Sequence, residues 1–279
     1  MRARYESIYA SNQQTRKMQA STKSDSNASK RIGRYLLANP KRGICFHAGD
    51  PSFNPITYAY VDASLMEDSI SGVAVYIGIP NFETHENLNG AVISFTKKET
   101  EKVTSTMHSE MICVERGIKT LDYATDTREE SGFPPLGPSI LFTDNTPGMK
   151  FLSGTGTAGN RQTRHLRRRV AWIKEALLQR RIVLRHVPSS LNCADLLTKG
   201  LGRVLHERHA KNLLGDPRDI KFPGHYYCGC TRLDDCVRCR GCVKHHCLCD
   251  KAKPQGAEPN EAVAGKSAIW GAAAKPAVS

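Results

Sequence analysis

Residues 56–62, ITYAYVD, join a β-prone run to an acid. Ile56 to Val61 reads as a strand, with Asp62 at its end. Working outward, Gly72–Ile79 reads as a second strand and Ala91–Phe95 as a third, with NFETHENLNG between them as a turn or loop. Met107, Met111, Val114, Ile118 and Leu121 then recur at steps of four and three, the signature of one helical face. Glu110 lies beside that face. Residues 126–138 combine charge, proline and glycine and read as a loop. Ser139–Thr143 is a strand ending at Asp144. A Gly/Thr-rich loop over 153–161 leads to a helix over about 162–181, with Leu166, Val170, Ile173 and Leu177 on one face. Ile182–Val187 is a fifth strand, residues 188–192 are a turn, and Asp195 opens a last helix running towards Leu214.

Three strands, then helix, strand, helix, strand and helix, predict one mixed sheet with helices on its faces. Upstream, residues 1–30 are polar and read as loosely structured, and Ile32, Tyr35 and Leu36 mark a short helix over 28–38. Pro40 and Gly43 stop it. The organisation expected is a leading segment over 1–55, partly disordered, and an α/β domain over 56–215. A Cys/His-rich module over 216–252 and a disordered tail over 253–279 follow.

The chain has 279 residues and a net charge of +13, which points to a polyanionic partner, nucleic acid before membrane surface. No apolar run approaches the roughly 18 residues of a membrane span. The N-terminus has no apolar signal-like stretch, so an intracellular protein, cytoplasmic or nuclear, is expected.

Asp62, Glu110, Asp144 and Asp195 stand at the ends of elements or on a helix, none inside a charge run of its own. Converging carboxylates suit hard divalent ions, and two such ions can serve phosphodiester cleavage. Taken singly, Asp144 with Asn145 suits a turn and Asp195 suits a helix N-cap.

Seven blocks in order carry a resemblance: Tyr60-Val-Asp62-Ala, Ser69-Ile-Ser-Gly72, Ile93-Ser-Phe-Thr-Lys-Lys98, Ser105 to Glu110, Thr143-Asp144-Asn145, Arg161-Gln-Thr-Arg-His165, and His186-Val-Pro to Ala-Asp195-Leu-Leu-Thr-Lys199. From about 28 to 214 the chain resembles the ribonuclease H domain that ends the polymerase polyprotein of copia-type LTR retrotransposons. Residues 7–46 resemble the connection segment that precedes it. The resemblance implies a ribonuclease H-like mixed five-stranded sheet with flanking helices and hydrolysis of the RNA strand of RNA–DNA hybrids. It further implies that Asp62, Glu110, Asp144 and Asp195 hold two Mg²⁺, and that cleavage leaves a 3′-hydroxyl and a 5′-phosphate. A reverse transcriptase acting in trans is a partner in keeping with it. Pro147 departs from the family's pattern just after Asp144-Asn145, and His108 departs at a position that is not a metal ligand.

Between Arg161 and Arg185 stand nine Arg or Lys against one acid, Glu175. Arg161, Arg164, Arg167 and Arg168, with His165, are candidates to bind hybrid phosphates. Trp172 and His186 read as packing or sheet-face residues. Downstream, Cys228, Cys230, Cys236, Cys239, Cys242, His245, His246, Cys247 and Cys249 have spacings that suit Zn²⁺. Two functions are consistent with this sequence: a metal-dependent endonuclease, or a non-catalytic nucleic-acid-binding protein that keeps the fold and adds a zinc module.

Overall fold

The computed structural model describes residues 4–46, 55–66, 68–135, 137–153, 166–179 and 182–215. Five strands, β1 (Ile56–Leu65), β2 (Ser69–Gly78), β3 (Ile93–Lys98), β4 (Ser139–Thr143) and β5 (Ile182–His186), form one sheet in the order β3-β2-β1-β4-β5. The first three are antiparallel neighbours, while β4 and β5 run parallel to β1 and to each other. This is the mixed five-stranded sheet with flanking helices that the sequence predicts.

Strand alternation sorts the core into two faces. Ala59, Val61, Val73, Val75 and Leu141 pack with α3 (Thr106–Glu130) and α5 (Arg167–Gln179). Tyr58, Tyr60, Ala74, Tyr76 and Phe142 face the opposite way, against the 3₁₀ segment Cys193–Leu197 and α6 (Arg203–Leu214). On that second face the rings of Tyr60 and Phe142 stack with centroids 4.8 Å apart. Trp172 is partly buried against the first cluster, as its packing role predicts.

Several expected boundaries move. Asp62 does not end its strand: β1 continues to Leu65, because Asp62, Ala63, Ser64 and Leu65 pair with Gly72, Ser71, Ile70 and Ser69 across a tight turn. Residues 126–130, expected as loop, extend α3. The buried Arg128 anchors that extension, donating to Thr57 Oγ1 at 3.0 Å and to the Pro55 carbonyl at 2.9 Å. Gly132, at φ 82°, then ends it, because a left-handed residue lets the Gly132 and Phe133 N–H groups turn back onto Glu129 and Arg128.

The leading segment is also more ordered than its polar composition suggests. It contains α1 (Ile8–Thr15) and α2 (Lys23–Ala38). Thr22 and Asp25 close a reciprocal capping box at the start of α2. Asn12 donates to the Thr96 carbonyl on edge strand β3 at 3.1 Å, and Arg42 pairs with Glu207 of α6.

Asp195 does not open a long helix. Its 3₁₀ segment stops at Leu197, and α6 begins only at Arg203, after Gly200 and Gly202. His186 is exposed at the end of β5, and Val187 is the residue buried there.

The chain is stitched together where it leaves the described domain. The Cys45 N–H donates to the Leu214 carbonyl at 2.7 Å, Gly90 N–H to Cys45 at 2.9 Å, and Ala91 N–H to Leu213 at 2.9 Å.

Candidate active site

Four segments bring acids to one place. Asp62 lies inside β1, opposite Gly72 on β2. Asp144 follows β4, and Asp195 sits in the 3₁₀ segment laid against the second face. One oxygen from each of Asp62, Asp144 and Asp195 lies within 4.8 Å of the others. Glu110, one turn into α3, stands outside that triad but close enough for Asp62 and Asp144 to act on its carboxyl.

Neighbouring asparagines leave the aspartates free of capping duty. Asn145 Oδ1 accepts from the Gly148 N–H at 2.8 Å and caps α4 (Thr146–Leu152). Pro147 falls in the first turn of that helix, where its missing N–H leaves no bond unmade. The departure at Pro147 therefore leaves Asp144 within the triad. Asn192 caps the other segment, its Oδ1 accepting from the Ala194 N–H at 3.2 Å. Asp195 is thus not an N-cap, and its side chain faces Lys199 instead.

Two of the four acids, Asp62 and Glu110, are buried, and Asp144 and Asp195 are half-buried. Asp62 is only 1% exposed. Burial pushes its carboxyl up to about 7, with Asp195 and Asp144 adding to the rise while Lys199 and Thr198 oppose it. Burial also pushes Glu110 up to about 8, again helped by Asp62 and Asp144. Asp195 is raised as well, first by burial. The Glu110 Oε2 atom is buried and has no hydrogen-bond partner among the described residues. Crowded, desolvated carboxylates with an orphaned oxygen suit a divalent cation, and an all-oxygen donor set favours a hard one.

Sequence reasoning missed two members of this centre. Thr198 donates its hydroxyl to Asp62 Oδ2. Lys199 Nζ donates to Asp62 Oδ1 at 3.2 Å and to Asp195 Oδ1 at 3.0 Å. Both residues close the Ala-Asp-Leu-Leu-Thr-Lys block, whose order was the available signal.

Of the proposed phosphate-binding residues, Arg167 and Arg168 are exposed in the first turn of α5. Arg161, Arg164 and His165 lie outside the described residues, as does the whole Cys228–Cys249 cluster. No helix among the described residues is long and apolar enough to cross a membrane.

The raised acids set a pH response in metal-free protein. A carboxyl with a raised folded-state pKa binds more protons folded than unfolded, so its contribution falls as pH rises towards that value. His85 and His209, both lowered to about 4 chiefly by burial, act oppositely but only below their ordinary value of 6.5. Stability without divalent ions is therefore expected to fall between about pH 6.5 and about pH 8, and a bound divalent ion to remove the fall. Urea midpoints across that window check this. A midpoint that rises through it without metal contradicts the charge balance drawn here.

No family model matches the chain. Over 211 residues, 74% of its length, it is 26% identical to the retrovirus-related Pol polyproteins from transposons RE2 and RE1 of Arabidopsis thaliana. The chain spans about 13% of the length of these curated relatives. The resemblance to copia-type polyproteins is thereby borne out. Among solved structures, LC11-RNase H1, isolated from compost by a metagenomic approach, is 17% identical with a TM-score of 0.38, covering 51% of this chain and 91% of that one. The N-terminal RNase H domain of rv2228c from Mycobacterium tuberculosis is 15% identical with a TM-score of 0.36, covering 56% and 97%.

Proposed function

We propose that this chain carries a metal-dependent endonuclease centre of the ribonuclease H type, one that hydrolyses the RNA strand of RNA–DNA hybrids. The observation that carries the reading is the convergence of Asp62, Asp144 and Asp195 within 4.8 Å, from segments far apart in sequence. Their resemblance to the family's acids and the similarity to Pol polyproteins support it.

Asp62, Glu110, Asp144 and Asp195 would hold two Mg²⁺. Bound there, such ions activate a water and stabilise the leaving oxygen in phosphodiester cleavage. The chain's own residues do the rest. Burial of Asp62 and Glu110 strengthens their pull on a cation, and Thr198 fixes the orientation of the Asp62 carboxylate. The cationic stretch from Arg161 to Arg168 would hold hybrid phosphates, with affinity that weakens as salt rises. We take 56–215 as the nuclease domain and, on the Cys/His spacing alone, 216–252 as a zinc module.

The test is cleavage of a labelled RNA–DNA hybrid by the full chain in Mg²⁺, in chelator, and with Asp62→Asn. Cleavage confined to the first condition establishes the nuclease. Salt-sensitive binding without cleavage in any condition would sink this reading and favour the non-catalytic binding protein.

A further inference from the structure

Lys199 is the one cation hydrogen-bonded to the clustered carboxylates among the described residues. Its ammonium lies 3.2 Å from Asp62 Oδ1 and 3.0 Å from Asp195 Oδ1, bridging two of the three acids. The other Asp62 oxygen, Oδ2, is already taken by the Thr198 hydroxyl. Oδ1 is the Asp62 oxygen that Thr198 leaves alone, and Lys199 donates to it.

An ammonium offers three donors and no lone pair, so it cannot share a metal's coordination shell as a ligand. A hard divalent ion seated among these acids would draw on the Asp62 and Asp195 carboxylates that the Lys199 ammonium now bridges. Like charges at this distance in a partly desolvated site repel strongly, which disfavours holding both. The side chain has somewhere to go. It is 39% exposed, against 2% for Asp62 and 14% for Asp195, so it closes the centre from the solvent side. The backbone of Lys199 stays anchored by its N–H to the Asp195 carbonyl at 2.9 Å. Gly200 follows, with nothing within 4 Å of where a Cβ would be. The ammonium can swing outward without repacking the core.

We propose that Lys199 is a resident counter-ion of the metal-free centre, and that divalent metal enters by displacing its ammonium from Asp62 and Asp195. This rests on the metal-dependent reading above. Loading is then an exchange of cations. The lysine sets the metal concentration the centre needs, and it holds the Asp62 and Asp195 carboxylates together until the metal arrives. Once displaced, the ammonium lies at the mouth of the site, where it can meet a substrate phosphate.

Two measurements on the full chain test this. Calorimetric titration with Mg²⁺ compares wild type, Lys199→Met and Asp144→Asn. Lys199→Met is expected to bind at least about tenfold more tightly, since a competitor has been removed. Reductive methylation of wild type, read at Lys199 by mass spectrometry, is expected to be severalfold faster with saturating Mg²⁺ than in chelator. This second measurement needs no variant and stands if Lys199→Met fails to fold. Unchanged or weaker binding by Lys199→Met, or a Lys199 amine that becomes less reactive on loading, overturns displacement. If Asp144→Asn binds Mg²⁺ as wild type does, or wild type binds none, the metal reading itself fails and takes this inference with it.

Discussion

Hybrid cleavage by Glu110→Gln is expected to fall by about a thousand-fold, equivalent to about 4 kcal/mol of transition-state stabilisation. The same substitution should make metal-free protein more stable in mild alkali. Wild-type Glu110 is buried, its Oε2 has no hydrogen-bond partner among the described residues, and its carboxyl is pushed up to about 8. Above that pH the folded state must carry an ionised group for which burial, Asp62 and Asp144 outweigh the help of Lys199 and Asn145. Glutamine keeps the volume and the acceptor, removes the charge, and adds an amide that can donate to the nearby carboxylates. The gain should be about 1–3 kcal/mol near pH 9 and vanish near pH 5, where wild-type Glu110 is protonated. Paired cleavage rates and urea midpoints at the two pH values check both halves. A variant that loses activity without gaining alkaline stability would show that Glu110 is compensated by groups other than those found here.

Valine in place of Gly72 is expected to destabilise the domain by about 3 kcal/mol or more, through overpacking that cannot relax. Gly72 sits on β2 directly opposite Asp62. A Cβ there would stand 2.7 Å from Leu197 Cβ, 2.8 Å from Thr198 Cγ2 and 3.1 Å from the Ala194 carbonyl oxygen. The segment carrying Asp195, Thr198 and Lys199 lies flat on the sheet at this point, and only a hydrogen on Gly72 permits that approach. Gly72 carries no functional group, yet it sets how closely the Asp195 segment approaches Asp62. Thermal unfolding measures the cost. A Gly72→Val protein that melts within a few degrees of wild type would mean the 193–198 segment can lift away freely.

The sheet was largely legible. The middle of Ser139–Thr143, Ile140 to Phe142, is apolar on both faces because helix and 3₁₀ segment cover it on either side, and the strand extends one buried polar residue beyond each end of that run. From sequence β1 reads short because the charge of Asp62 looks like a strand end. Its pairing across the turn to β2 is a tertiary fact that local polarity conceals. The second half of α2 is legible from Ile32, Tyr35 and Leu36, whereas its capped first turns and the whole of α1, which buries no residue, are hidden by polar composition. The acids were legible as a set, through their order. What no periodicity could show was that Asn145 and Asn192 take the capping roles, which frees Asp144 and Asp195. Lys199 was hidden for a similar reason. Its sequence distance of four from Asp195 resembles an ordinary helical ion pair, whereas its reach to Asp62 spans 137 residues.

The backbone stitch joining Cys45, Gly90, Ala91 and Leu213–Leu214 has an architectural consequence. The strand of chain that enters the sheet and the one that leaves α6 are tied within one hydrogen bond of each other. Everything from β1 to α6 is therefore a closed loop drawn shut at its neck. A module whose two necks, Cys45 and Leu214, lie side by side is suited to insertion in a longer polypeptide as a cassette. The four acids are then all set by elements that lie between those necks.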